Sequence, residues 1–407
     1  MRVFVVCDHE PLPIDPGQPR LMRAGMLTAA LADAGHDVTW FTSSFDHYLK
    51  RQRGQAGSIA RHGPGLAIEV LPTPGYPANT GAQRVFHNRA FASAFSRAVT
   101  AHAPPDAVIA AIPATDSAAA AVRYARRAGA ASIVDVYDPW PDSFKKMLPR
   151  SKLILGWPVI AHLHRQSRFA CTNATALFAI SEGYLDWGRA KGQRGGKAPD
   201  RVFPLSYMPH RNVSPNDRHA LLGRLGIEPH HRIVSFVGTW GSTHDLAHVA
   251  DAAAQLAACD DIRFVIAGRS EGDEQARAAF ERLPNVVLAG WLDAPEIATL
   301  LGSTDVGLLP YRAGAPQSLP NKVFEYLAYG AFQIGSLTGE IEAFYNSTGA
   351  GWVVPPTGGA LAAAIRRYFS TPESTSRHDR IAAFDAGYAG STVYRQMVES
   401  IEEIAIR

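Results

Sequence analysis

The stretch of this chain with the densest chemical content is residues 318–330, Ser-Leu-Pro-Asn-Lys-Val-Phe-Glu-Tyr-Leu-Ala-Tyr-Gly. Pro320 suits the first turn of a helix, and Gly330 suits its end. Lys322 and Glu325 are three residues apart and so share one side of that helix. A cation in a first turn opposes the helix dipole. It makes sense there if an anion sits at the helix N-terminus, where free N–H groups and the ammonium of Lys322 converge on a phosphate. Glu325, one turn on, could accept hydrogen bonds from a vicinal diol such as a ribose. The alternative is a solvated Lys/Glu pair on an amphipathic helix. A second candidate is Asp138, in Val-Asp-Val-Tyr-Asp-Pro-Trp-Pro-Asp at residues 134–142. At the C-terminal end of a strand it could orient or deprotonate an acceptor hydroxyl, or it could simply cap the turn before Pro139.

Elements that could hold such groups are visible along the chain. Short runs rich in Val, Ile and Phe alternate with helical patterns, the signature of βαβ units and parallel sheets. Strands are expected at Val3–Cys7, Val38–Thr42, Ile68–Leu71, Ala107–Ala111, Ser132–Val136 and Ala176–Ile180. A second series runs Ile233–Val237, Ile262–Ala267, Val286–Ala289, Val306–Pro310 and Phe332–Ser336. Residues 209–231, rich in His, Pro, Arg and Asn, read as the connection between 1–208 and 232–385, and 386–407 as a last helix returning to the N-terminal domain. Two doubly wound halves facing each other would form a cleft at the C-terminal ends of their strands.

Composition narrows the class. With 407 residues, 46% apolar and 19% charged, the chain reads as a soluble two-domain protein. A net charge of +3 gives no argument for nucleic acid as a partner. Cys7, Cys171 and Cys259 form no C-x-x-C pair, which fits a reducing cytoplasm and excludes a cysteine zinc site. The apolar run of the N-terminus is too short for a signal peptide, and the longest apolar candidate, Leu153–Leu163, is too short to span a bilayer. His162 and His164 fall on different faces of a helix, and no D-x-D motif is present. No metal and no cofactor is therefore expected. Residues 144–168 place Lys145, Lys146, Arg150 and Lys152 around Leu153, Ile154, Leu155, Trp157 and Ile160. Such a segment suits an anionic membrane surface, or the edge of a core helix.

The 318–330 stretch, together with FVGTWGSTHDL, FVIAGRSEG, NVVLAGWLDAPEIATLLGSTDVGLLPY and GAGWVVP in the same order, resembles the retaining GT-B glycosyltransferases, in particular glycosyltransferase family 4 and its polysaccharide and lipopolysaccharide members. The likeness covers most of the chain in layout and is specific across residues 233–354. It implies an α/β fold of two Rossmann-like doubly wound domains around a central cleft, and transfer of a sugar from a nucleoside diphosphate sugar to a glycan, lipid-linked or small-molecule acceptor. It also implies roles. The family's two acidic residues eight apart fall on Gln317 and Glu325, so Gln317 would face the donor sugar without the usual charge and Glu325 the ribose. Lys322, Asn321, Ser318, Gly238 and Thr239 would hold the diphosphate, with Gly17 and Arg20 approaching from the N-terminal domain. Arg269 and Trp291 would meet the base. The Arg/Lys pair that clamps the diphosphate in many members is missing from Gly238–His244, which leaves the charge to Lys322, helped by Arg269 or Arg312. Asp138, Trp140 and Pro141 match a D-x-W-P subgroup. The same cleft would also serve a sugar-nucleotide 2-epimerase or a non-catalytic sugar-nucleotide-binding partner.

Overall fold

The computed structural model describes residues 1–407 except 18, 55, 80, 145–148, 197, 242, 270–272, 316, 372–374 and 407. The chain divides into two compact units, residues 1–204 with 393–407, and residues 205–392.

The first unit is built on an eight-stranded sheet. Its elements are β1 (Arg2–Val6), α1 (Arg23–Asp33), β2 (Asp37–Ser43), β3 (Phe45–Asp46), β4 (Arg51–Gln52), β5 (Ser58–Arg61), β6 (Leu66–Leu71), α2 (Ala82–Ala98), β7 (Ala107–Ile112), α3 (Thr115–Ala128), β8 (Ala131–Val136), α4 (Arg150–Leu155), α5 (Trp157–Asn173), β9 (Ala176–Ala179), α6 (Glu182–Gly192) and β10 (Arg201–Val202). The order is β10-β9-β8-β7-β1-β2-β6-β5, parallel throughout except for the antiparallel β5–β6 edge. β3 and β4 pair as a separate short hairpin. Central strands are apolar without a break because helices cover both sheet faces. The strand period of two divides their side chains: Val3 and Val5 enter one core with α1, Phe4 and Val6 the other with α2 and α3.

The second unit is a six-stranded parallel sheet, β13-β12-β11-β14-β15-β16. Its elements are α7 (Pro215–Arg224), β11 (Arg232–Val237), α8 (Leu246–Gln255), β12 (Ile262–Ala267), α9 (Glu274–Phe280), β13 (Val286–Gly290), α10 (Ala294–Ser303), β14 (Val306–Leu309), α11 (Asn321–Ala328), β15 (Phe332–Gly335), α12 (Glu340–Thr348), β16 (Gly351–Val353), α13 (Gly358–Ser370) and α14 (Arg377–Gly387). Val234 and Phe236 pack with α8 and α13, while Ile233 and Val237 pack with α10 and α11. Residues 209–231 belong to this unit, where Leu221 and Ile227 join its core. The final helix, α15 (Gly390–Ile406), carries Val393, Met397, Ile401 and Ile404 into the core around β1, in the first unit.

One buried ion pair ties the first unit together. Asp135, on β8, is fully buried and receives Arg23 Nε at 2.8 Å and its terminal nitrogen at 3.0 Å, while Arg23 also donates to the Phe203 carbonyl at 2.8 Å. A carboxylate on an apolar strand is tolerable only with such a partner.

Candidate functional site

In the second unit the site grows from the ends of β11 and β12. Gly238 follows β11 with φ 143°, and Gly268 follows β12 with φ 128°. A Cβ on Gly268 would lie 2.0 Å from the Gly238 carbonyl oxygen, and one on Gly238 would lie 2.5 Å from Lys322 Nζ. Only glycine allows this approach. It lets Lys322, on the first turn of α11, lie against the β11 turn with its ammonium 5.4 Å from the Phe236 ring centre. Burial lowers the Lys322 pKa, partly offset by the charge of Glu325. Helix α11 is fixed in this pose by Tyr326, whose hydroxyl donates to the Ser235 carbonyl at 3.0 Å and accepts from Val237 N–H at 3.2 Å.

Around this point the structure brings together Gly238, Lys322 and His244. His244 was not singled out in the sequence. Its ring lies between Phe236 and Tyr311, with centroids 5.2 and 4.7 Å away. Both of its nitrogens are buried with no hydrogen-bond partner among the described residues. Burial, then the charge of Lys322, pulls its pKa from 6.5 to about 4. The ring is therefore neutral at pH 7 and offers one donor and one acceptor. Gln317 Oε1 is likewise buried and unpartnered. Unsatisfied buried polar atoms of this kind mark a place that a polar ligand would complete.

The other candidates of this unit lie on α11, on the loop before it and on the loops that follow β11 to β14. Asn321 opens α11 and is half-buried, and Thr239 is exposed. The Ser318 hydroxyl donates to Glu340 at the start of α12. Arg269 stacks over the Trp291 ring at 4.8 Å, and the indole is 65% exposed, a flat apolar platform with a cation behind it. Arg312 donates through Nε to the His244 carbonyl at 2.8 Å, so it braces the β11 loop. Glu325 is half-buried, and its charge acts on both Lys322 and Tyr311.

In the first unit, Gly17 and Arg20 are exposed on the loop before α1. The helix itself starts at Arg23, and Glu10 occupies its N-terminus. The Glu10 carboxylate accepts from Ala24 N–H at 2.8 Å and Gly25 N–H at 3.3 Å, and burial raises its pKa. Asp8 sits between His9 at 3.0 Å and His87 at 3.5 Å. Burial pushes the Asp8 pKa up, but hydrogen bonds from His87 and His9 outweigh it and hold the group well below the usual carboxylate range. Cys7, His9 and Glu10 have ligand atoms within 4.8 Å of one another, a grouping the sequence reading did not single out. Asp138 is half-buried and accepts from Trp140 Nε1 at 2.9 Å. Burial raises its pKa against the effect of that hydrogen bond, a shift in the direction a general base needs. His162 and His164 separate as expected, His162 to Asp116 at 2.6 Å and His164 toward Asp142 at 3.9 Å.

Residues 231–371 match the family described as Glycosyl transferases group 1, and residues 22–205 the Glycosyl transferase 4-like domain. Together the two families account for both units. This chain belongs to the GT-B glycosyltransferases of the family 4 type. TuaH of Bacillus subtilis (strain 168), described as a teichuronic acid biosynthesis glycosyltransferase, is 30% identical over 129 residues, 31% of this chain and 30% of that protein. The match therefore spans about a third of that relative. Among solved structures, sucrose-phosphate synthase from Thermosynechococcus elongatus superposes with a TM-score of 0.73 at 17% identity, covering 99% of this chain and 98% of that one. HepE of Anabaena, in complex with UDP, gives 0.68 at 15% identity, covering 99% and 100%. These two likenesses establish the GT-B fold, with its two Rossmann-like domains.

The orphaned imidazole of this glycosyltransferase has a consequence for stability. Its pKa is depressed on folding, so between pH 6.5 and about 4 the unfolded chain binds more protons than the folded one. Stability present above pH 6.5 is lost as pH falls through that window, by on the order of 3 kcal/mol if the whole shift is expressed. Urea unfolding at pH 7 and pH 4.5 should show His244→Phe losing less stability than the wild type over this interval. Equal losses would mean that His244 is not held neutral by burial.

Proposed function

We propose that this glycosyltransferase moves a sugar from a nucleoside diphosphate sugar, bound by the second unit, to an acceptor hydroxyl handled by the first, with retention at the anomeric carbon. The observation that carries the reading is the half-buried ammonium of Lys322 held against Gly238 at the N-terminus of α11, beside a neutral, unpartnered His244. A diphosphate there would take charge from Lys322 and hydrogen bonds from the helix N–H groups and the imidazole. Asn321, Ser318 and Thr239 would add polar contacts to the diphosphate, Glu325 would hold the ribose, Gln317 the sugar, and Arg269 with Trp291 the base. The chemistry is positioning and stabilisation of a departing nucleotide, with Asp138 accepting the acceptor's proton, so no metal and no cofactor enters it. The solved HepE complexes contain UDP and UDP-glucose, which makes uridine nucleotides the first to test.

A thermal-shift panel of UDP, GDP, ADP and dTDP sugars, run in EDTA, should single out one base. Lys322→Ala should weaken its binding by ~1.5–3 kcal/mol, the value of a charged hydrogen bond. Glu325→Gln should weaken the ribonucleotide more than its 2′-deoxy analogue. Unchanged affinity in Lys322→Ala, or binding only with added Mg²⁺, would contradict the assignment.

We further propose that the enzyme works at an anionic membrane surface, in bacterial glycan or glycoconjugate synthesis. No helix of the described residues is long and apolar enough to cross a bilayer. Contact would come from α4 and α5, where Ile154, Leu155, Trp157 and Val159 are exposed, Leu155 at 87%. Arg150 and Lys152 are exposed beside them. Leu153, expected in this patch, packs instead on the core, and Ile160 is buried. Lys145 and Lys146 lie outside the described residues. The protein should sediment with vesicles containing anionic lipid, less with neutral ones and less at high salt, each basic residue contributing ~1 kcal/mol. Leu155→Ser with Trp157→Ser should release it without unfolding. Indifference of the wild type to vesicles would remove the membrane from the account.

A further inference from the structure

Two cations of the first unit converge on Tyr76, and among the described residues no carboxylate forms an ion pair with either. Arg84, near the start of α2, is 9% exposed, and its guanidinium lies 4.3 Å from the Trp140 ring centre and 5.4 Å from that of Tyr76. Its guanidinium donates to the Asn79 carbonyl at 2.7 Å, and its Nε is buried with no partner among the described residues. Lys50 also lies against Tyr76, 4.7 Å from its ring centre, and donates to the Asn79 side chain. Lys50 has a left-handed backbone, with φ 53°. A β-carbon makes that conformation costly, and strain of this kind gathers at functional places. Asp46, four residues earlier, spends its carboxylate on the N–H groups of Tyr48 and Leu49. His47, held by the Tyr76 hydroxyl at 2.6 Å, is pulled down to about 3 by burial and then by the charges of His9, Lys50 and Arg84, so it adds no charge at pH 7. Burial, then the charge of Arg84, lowers the Lys50 pKa, with the Asp46 carboxylate opposing the shift: the two cations repel each other.

The Arg84 charge acts on the Asp138 carboxylate without an ion pair between them; a buried guanidinium with no directly paired counter-ion is expensive, and a neighbouring ammonium raises the cost. An anion between the two would relieve both, pairing Lys50 and filling the vacant Nε donor of Arg84. The position also has chemical meaning. Arg84 stacks on Trp140, and Trp140 donates to Asp138. An anion held by Arg84 would thus sit beside the group read as the acceptor's base.

We infer that Lys50 and Arg84 form a subsite for a negatively charged group, phosphate or carboxylate, carried by the acceptor next to its reacting hydroxyl. This rests on the reading of the first unit as the acceptor side, and it narrows the acceptor to an anionic one, a phosphorylated compound or an acidic sugar. Neutral sugars lack the group that the subsite needs.

The test is calorimetric titration of the full chain carrying Lys322→Ala, which removes the donor-side cation, with inorganic phosphate, glucuronate and glucose. Phosphate, glucuronate or both should bind, and adding Lys50→Gln or Arg84→Gln should weaken that binding about tenfold, one charge-assisted hydrogen bond's worth. Phosphate alone would identify a phosphorylated acceptor, and glucuronate alone an acidic sugar. Thermal unfolding checks the fold of each variant, and Lys50, half-buried on a loop, gives an answer even if Arg84→Gln fails to fold. No anion binding, or affinity untouched by Lys50→Gln, would overturn the subsite. Failure of the donor assignment would show separately, as nucleotide affinity that survives Lys322→Ala.

Discussion

The second unit is organised by a close approach that only glycine permits. Gly268 stands so near the Gly238 carbonyl that a methyl group on it would overlap that oxygen, and Gly238 in turn gives its missing side-chain volume to Lys322. Three successive consequences follow. The ends of β11 and β12 can meet, helix α11 can deliver a cation into the turn, and that cation adds to the effect of burial in holding the His244 ring neutral. Tyr326 then locks the helix to β11 with two hydrogen bonds, so that the cation is placed by rigid elements rather than by a mobile loop. A cation desolvated before any ligand arrives is a preorganised partner for a phosphate, because much of the cost of removing its water has been met in folding.

The first unit solves a different problem with the same kind of sheet. The strand ends and loops at β1 and β8 carry several ionisable side chains into buried surroundings. Each is answered locally: Asp135 by Arg23, Glu10 by the N–H groups of α1, Asp8 by two histidines. Lys50 and Arg84 stand apart from this pattern, since among the described residues no carboxylate forms an ion pair with them. That contrast within one unit, rather than charge alone, separates a ligand subsite from structural electrostatics.

Much of this was readable in the chain. Eleven strands were expected as largely apolar runs, and their expected spans fall within a residue or two of the observed ones, because burial on both faces leaves little choice of residue; the edge strand Gly351–Val353 was not foreseen. The short pieces Phe45–Asp46, Arg51–Gln52, Ser58–Arg61 and Arg201–Val202 were not legible, since edge and hairpin strands are defined by their partners more than by their composition. Lys322 announced itself by standing at the wrong end of a helix dipole. Asp135 was visible as an acid on an apolar strand, but its partner Arg23 is 112 residues away, and no spacing rule reaches that far. His244, Lys50 and Arg84 gave no signal for a related reason. Their meaning lies in what they lack, a hydrogen bond or a counter-ion, and such an absence exists only once the chain has folded.

The account turns on where the donor diphosphate sits. A crystal structure of the chain with the nucleoside diphosphate sugar selected by the thermal-shift panel would decide it. The prediction is a phosphate oxygen within hydrogen-bond reach of Lys322 Nζ, roughly 2.7–3.2 Å, with the ribose hydroxyls on Glu325 and the His244 ring no longer unpartnered. A nucleotide bound elsewhere, with Lys322 still turned only toward Gly238 and Phe236, would contradict it.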